Sequence, residues 1–254
     1  MTTPLLAYTE HNLPAATPAE RFELARVHGL ALEVANRDDD RAERARDAGL
    51  PIATLQAWRM HEVHPIHPDK KVRGEAYEHL RRTIELAAKL GVPRVIAIAG
   101  YGQQVCEDPF AEARAFFRFV APVARENRVR VLIEPLSPLR CAALTAPMVL
   151  ARLFEEIESP DVFASAIDTG HVIDSGRDVA EYLERWPRAV VELQLKDKGS
   201  SPPGPDMPLS RWLRKLKAVP EVVCIEHRLP IDAQDLAKLL AHLRGELRTF
   251  AAPR

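Results

Sequence analysis

The 254-residue sequence has few cysteines and no long hydrophobic run. Its three cysteines, Cys106, Cys141 and Cys224, include no C-x₂-C pair, so the sequence predicts neither a disulfide scaffold nor a cysteine metal site. No stretch approaches the roughly 20 apolar residues of a membrane span, and the first residues lack the basic region of a signal peptide. We therefore expect a cytoplasmic protein that does not bind membranes.

The sequence also lacks an excess of charge of either sign. It has 35 Lys and Arg against 36 Asp and Glu, a formal net charge of −1. Without a cationic field, the composition argues against nucleic acid as a partner. No G-x-G-x-x-G turn follows the first predicted strand, and no phosphate-binding P-loop is present, which argues against a nucleotide-binding open sheet.

What the sequence does contain is one unit repeated eight times. Short apolar runs bounded by Pro, Gly or charged residues alternate with amphipathic helical stretches. The runs predict strands at residues 5–8, 31–34, 52–55, 95–99, 129–133, 162–167, 190–195 and 222–225. Helix starts are predicted at Thr17, Asp108 and Asp178, and a helix end at Gly91. This alternation, with no long linker, predicts an α/β protein: a single-domain (β/α)₈ TIM barrel over residues 1–254, with an open doubly wound sheet as the alternative.

Polar residues lie at the ends of the last four predicted strands. Glu134, Asp168 and Glu226 close the fifth, sixth and eighth strands, and Gln194 lies in the seventh. Their spacings of 34, 26 and 32 residues each correspond to about one strand–helix unit. Because active sites of TIM barrels lie at the carboxyl ends of the strands, we expect these side chains to converge there.

Strand alternation predicts which side chains of the seventh strand point into the barrel. Glu192, Gln194 and Lys196 share one face, whereas Val191 is expected to face the helices. A charged glutamate in a barrel interior is costly unless it is paired, so we expect Glu192 to have a partner.

Three carboxylates and one amide at one point would repel each other if left bare. A divalent cation removes this repulsion, and an all-oxygen ligand set favours Mn²⁺ or Mg²⁺, with Zn²⁺ or Co²⁺ as further candidates. Each residue alone is as readily an ordinary capping or salt-bridging group. Four such residues on consecutive strands favour the metal site.

Several segments, in order along the chain, resemble the xylose isomerase-like TIM-barrel superfamily of sugar isomerases and epimerases. RGEAYEHLRRTIELAAKLGVPRVIAIAG is similar to its third helix and fourth strand, and VRVLIEPL, FASAIDTGH, VVELQLKD and VVCIEH are similar to its metal-bearing strands. The resemblance implies that His171 contacts substrate and that one divalent metal is held by Glu134, Asp168, Gln194 and Glu226. The usual motif has His where this chain has Gln194. The hydroxypyruvate isomerase branch carries Gln there, and the GPDMPL segment is also similar to that branch.

The residues suggest a mechanism for moving a proton next to a carbonyl. One of Glu134 and Glu226 would remove a carbon-bound proton and the other would return it, with the cation stabilising the enediolate oxygens. Which glutamate acts first is open. Lys196, Trp58 at the end of the third predicted strand, and Arg228 are further candidates for contacting a small carbohydrate substrate. A homo-oligomer is left open.

Three other functions compete with isomerisation. The superfamily also contains dehydratases of inosose-like rings, which Lys196 mildly favours. Its apurinic-site endonuclease branch uses His ligands where this chain has Gln56, Ala99 and Gln194, and the balanced charge supplies no DNA-binding field. A non-catalytic ligand-binding barrel would be expected to lack one of the two glutamates, and neither is missing.

Overall fold

Eight parallel strands close into one barrel in the computed structural model, which describes residues 3–186 and 188–251. Each strand pairs with its neighbours in sequence, and β1 pairs with β8 to close the sheet. The strands are β1 Leu5–Thr9, β2 Ala31–Ala35, β3 Ile52–Gln56, β4 Arg94–Ile98, β5 Arg130–Glu134, β6 Phe163–Asp168, β7 Val190–Leu195 and β8 Val222–Ile225. The predicted TIM barrel and its eight strands are confirmed to within a residue or two, and the open sheet is excluded.

Helices cover the outside of the barrel between the strands. They are α1 Pro18–Val27, α2 Arg41–Asp47, α3 Lys70–Leu90, α4 Pro109–Glu126, α5 Pro147–Ile157, α6 Thr169–Asp174, α7 Val179–Arg185, α8 Leu209–Leu213 and α9 Ala233–Ala251. Among the described residues, no helix is long and apolar enough to cross a membrane.

The predicted helix boundaries follow from local capping. Thr17 forms a capping box with Glu20, in which each side chain bonds the other's backbone N–H. Asp108 and Asp178 cap α4 and α7 through their carboxyl groups. Gly91 ends α3 in the left-handed conformation, at φ 71°, where glycine carries no steric cost. All four predicted boundaries are confirmed.

Two sequence-based placements are wrong. Trp58 does not end the third strand: β3 ends at Gln56, and Trp58 begins a short 3₁₀ helix that runs to His61. Val191 does not face the helices, because the register between β6 and β7 shifts so that Ala166 pairs with Glu192. Val191 is the extra residue of this bulge and joins an interior cluster that includes Ala166.

The barrel interior has a small-residue floor below a polar layer. Ala7, Ala31, Ala53, Val222 and Cys224 form the floor cluster. Above it, Thr9, Glu33, Thr54 and Glu192 are all fully buried. The inner surface therefore becomes polar toward the carboxyl ends of the strands, whereas the large apolar core lies between the barrel and its helices.

Candidate active site

The polar residues predicted at the strand ends lie where the sequence indicates. Glu134 and Asp168 are the last residues of β5 and β6, and Glu226 directly follows β8. Gln194 is the penultimate residue of β7 and stands opposite Asp168 in the strand register. Four neighbouring strands thus bring three carboxylates and one amide to the same end of the barrel.

A cavity opens above this end of the barrel. Six of the residues singled out from the sequence line it or its rim: Trp58, Glu134, His171, Lys196, Glu226 and Arg228. Asp168 and Gln194 lie deeper, at 1% and 0% exposure. The eight candidates therefore belong to one site, in which Asp168 and Gln194 lie deeper in the barrel than the other six.

Asp168 is held from two directions. Its Oδ1 accepts the backbone N–H of Gly170 at 2.8 Å and caps α6, and its Oδ2 forms an ion pair with the ammonium group of Lys196. Lys196 Nζ is also 3.9 Å from Glu226 Oε2. Burial lowers the pKa of Lys196, but Asp168, Glu226 and Glu134 outweigh burial and raise the pKa above its usual value. Lys196 is therefore charged at neutral pH.

His171 lies between two carboxylates yet stays neutral. Its Nε2 is 3.5 Å from Glu134 Oε1 and 3.7 Å from Asp168 Oδ2. Burial, together with the nearby Lys196, lowers the pKa of His171 to about 3. A neutral imidazole at this point can orient a substrate hydroxyl or carbonyl without adding charge.

Glu134 experiences strong repulsion in this arrangement. Burial raises its pKa well above the usual value, and the neighbouring Glu226 and Asp168 raise it further. The ammonium group of Lys196 opposes this shift in part, and a bound metal ion would oppose it further.

A hydrogen-bonded layer underlies the site and centres on Glu33. Glu33 Oε2 accepts from Gln194 Nε2 at 3.0 Å, and Glu33 Oε1 accepts from Gln56 Nε2 at 2.8 Å and from Thr9 Oγ1 at 2.7 Å. Gln56 Nε2 is also 3.5 Å from Glu226 Oε1. Glu33 is thus connected to two of the candidate metal ligands.

The predicted partner of Glu192 is present. Thr54 Oγ1 donates to Glu192 Oε2 at 2.6 Å, and a carboxyl oxygen of Glu33 lies within 4.8 Å of one of Glu192. Burial, followed by repulsion from Glu192, raises the pKa of Glu33 well above its usual value. Ligand atoms of Glu33, Glu192 and Cys224 lie within 4.8 Å of one another, and all three residues are fully buried.

The donor atoms fit a divalent cation. Ligand atoms of Glu134, Asp168 and His171 lie within 4.8 Å of one another. Gln194 Oε1 and Glu226 Oε2 are buried and accept no hydrogen bond from the described residues. Buried polar atoms normally have a partner, so these oxygens are suited to metal coordination. Lys196 opposes a cation, because its ammonium group already contacts Asp168.

Sequence reasoning missed three residues of the site. Arg140 and Tyr101 line the cavity from loops that carry no strand-end signal. Glu33 could have been found, since it is a single acidic residue inside the apolar strand ALEVA, as Glu192 is inside its own strand.

Comparison with known protein families gives one match over most of the chain. The family model described as xylose isomerase-like TIM barrel matches residues 16–245. No curated protein sequence matches the chain.

Solved structures share the fold at low sequence identity. L-ribulose 3-epimerase is 20% identical with a TM-score of 0.75, covering 98% of this chain and 96% of that chain. The 3-keto-D-glucoside 4-epimerase YcjR from E. coli is 15% identical with a TM-score of 0.74, covering 97% and 99%. The IolI protein with a bound zinc atom is 16% identical with a TM-score of 0.75, covering 97% and 99%. At these identities the likeness concerns the fold.

Proposed function

Because the chain belongs to the xylose isomerase-like TIM barrel family, we propose that it is a divalent-metal-dependent isomerase or epimerase of a small carbohydrate. The observation that carries the proposal is that Glu134, Asp168, Gln194 and Glu226 lie together at the ends of four consecutive strands. These four residues would hold the cation. The epimerases among the similar structures, and the zinc atom of IolI, support this choice of reaction class and cofactor.

Two glutamates would carry the proton. Glu134 and Glu226 lie three strands apart and both line the cavity, so they reach a bound substrate from different sides. One removes a proton from the carbon next to the carbonyl and keeps it, and the other, which already carries a proton, donates that proton to the same carbon or to its neighbour. When bound, the cation supplies Lewis-acid stabilisation of the enediolate oxygens. His171 orients a substrate oxygen as a neutral imidazole.

The charges of the cavity favour a hydroxy-keto acid over a neutral sugar. Lys196, Arg140 and Arg228 balance the three carboxylates, so a bound dication leaves a net charge of about +2. The guanidinium groups of Arg140 and Arg228 have no carboxylate within salt-bridge distance among the described residues. They are available for an anionic substituent of the substrate.

The decisive experiment uses solvent isotope. The purified protein is analysed for bound metal after growth with Mn²⁺, and candidate hydroxy-keto acids and keto sugars are incubated with it in D₂O. The proposal is supported if deuterium appears on the carbon next to the carbonyl and the product has the mass of the substrate apart from that deuterium. A protein without metal under replete conditions, or without exchange on any candidate, would overturn it.

A dehydratase of an inosose-like ring is the second candidate. Lys196 favours it, because an ammonium group in the cavity could protonate a leaving hydroxyl. Mass spectrometry separates the two reactions, since elimination removes one water and isomerisation conserves mass.

A further inference from the structure

We infer that Glu33 is a positioning residue that fixes the side-chain amide of Gln194, so that Gln194 presents Oε1, and not Nε2, to the cation. The inference rests on the proposed function, because it takes Gln194 as one of the metal-holding residues. Glu33 itself lies on β2, away from the strands that carry the ligands, and two amides, those of Gln194 and Gln56, link it to the site.

The Gln194 amide can be held in only one orientation by its neighbour. Gln194 Nε2 donates to Glu33 Oε2 at 3.0 Å, and both side chains are at 0% exposure. With Glu33 Oε2 as the acceptor that this hydrogen bond requires, an amide that turned over would place its oxygen against a carboxylate oxygen and its NH₂ group toward the cation. A buried pair of acceptors and a donor directed at a cation are both unfavourable.

The Glu33 side chain is itself held in place by hydrogen bonds, so it can fix the orientation of the Gln194 amide. Its Oε1 accepts from Thr9, which stands opposite it in the β1–β2 register, and from Gln56. A carboxyl oxygen of Glu192 lies within 4.8 Å of it from across the barrel. Bonds from β1, β3 and β7 therefore hold this one carboxyl group in place.

A second chain of hydrogen bonds runs from Glu33 to the other side of the site. Gln56 donates to Glu33 Oε1 at 2.8 Å and its Nε2 is 3.5 Å from Glu226 Oε1. The Gln56 amide is thereby oriented with its NH₂ group toward Glu226 Oε1, and Glu226 Oε2 accepts no hydrogen bond from the described residues. One buried carboxyl group thus orients two ligands at once.

This arrangement also explains how glutamine can take a position where the usual motif has histidine. An imidazole, like an amide, has a donor atom and an acceptor atom on opposite sides. A carboxyl group that accepts the donor leaves the acceptor for the metal, which is the role of carboxylates behind metal-bound histidines. Glu33 would therefore orient either side chain.

The test measures Mn²⁺ binding by electron paramagnetic resonance and calorimetry, with turnover as a secondary readout. Glu33→Leu removes the acceptor, and we expect the Kd for Mn²⁺ to rise about 10- to 100-fold. Glu33→Gln keeps one acceptor oxygen and should rescue part of this loss. Thr54→Val removes a hydrogen bond from the same layer without touching Gln194, and it should leave the Kd near that of the wild type.

A double-mutant cycle with Gln194→Leu distinguishes positioning from general damage. If Glu33 acts through the Gln194 oxygen, the double variant Glu33→Leu/Gln194→Leu should bind Mn²⁺ about as weakly as Gln194→Leu alone. Additive losses would overturn the inference, as would an unchanged Kd in folded Glu33→Leu. If Glu33→Leu does not fold, the same cycle is run with Glu33→Gln. A wild-type protein that binds no Mn²⁺ would instead contradict the proposed function.

Discussion

The ammonium group of Lys196 forms an ion pair with Asp168 Oδ2 and lies 3.9 Å from Glu226 Oε2. It therefore stands beside oxygens of two residues that we propose as metal ligands. The side chain of Lys196 is 6% exposed, so solvent screens this charge only weakly. Lys196 and a divalent cation must compete for the same carboxylates.

Lys196→Met should bind metal more tightly and turn over more slowly. Like charges about 4 Å apart repel by roughly 4 kcal/mol at an effective dielectric constant near 20, so we expect the Kd for Mn²⁺ to fall at least ~10-fold. Turnover should fall because the cavity loses a cation that faces the substrate. Calorimetric titration with Mn²⁺ measures the first effect. Lys238→Met, which removes a surface lysine paired with Asp235, is the control. A Kd for Mn²⁺ that rises or stays unchanged in Lys196→Met would contradict the competition.

Glu134→Gln and Glu226→Gln should each abolish most turnover while the protein still binds metal. The amide keeps one oxygen for the cation but can neither accept nor return a proton from carbon, so kcat should fall by about 10²- to 10⁴-fold. Turnover and metal content are measured on the same samples. Glu221→Gln changes a glutamate at the other end of β8, where it pairs with Arg94 and Arg130, and it should leave kcat unaffected. Two active variants on the identified substrate would exclude the two-glutamate mechanism.

The sequence predicts the barrel because its signals are local. Apolar runs, capping residues such as Thr17 and the strand-end position of Asp168 can each be identified within about ten residues. The contacts that organise the site are not local: Glu33 and Gln194 are 161 residues apart in sequence. The inward position of Val191 depends on a register shift against a neighbouring strand, which its own alternation cannot reveal. Arg140 enters the cavity from a loop, where no periodicity exists to place it.

Arg140→Gln and Arg228→Gln should weaken binding of an acidic substrate selectively. A charge-assisted hydrogen bond contributes about 1.5–3 kcal/mol, so KM for a hydroxy-keto acid should rise roughly 10- to 100-fold with little change in kcat. KM for a neutral analogue of the same size should not change. Steady-state kinetics on both substrates measure this difference, with the exposed Arg185→Gln as the control. Equal losses on both substrates would show that the arginines do not recognise charge.

His64 should make the protein less stable as the pH falls. The side chain is 4% exposed, and burial together with His67 lowers its pKa from 6.5 to about 4. Between these two values the unfolded chain binds a proton that the folded chain does not, so the free energy of unfolding decreases as the pH falls from 6.5 toward 4.

The contribution of His64 can be isolated by comparing two pH values. At pH 5 it should amount to about 1–2 kcal/mol relative to pH 7.5. Denaturant unfolding of His64→Gln should therefore show a smaller loss of stability between pH 7.5 and pH 5 than the wild type shows. Val63→Ala, at the adjacent buried position, should lower stability equally at both pH values. If His64→Gln loses as much stability on acidification as the wild type, His64 is not one of the groups that make the fold acid-sensitive.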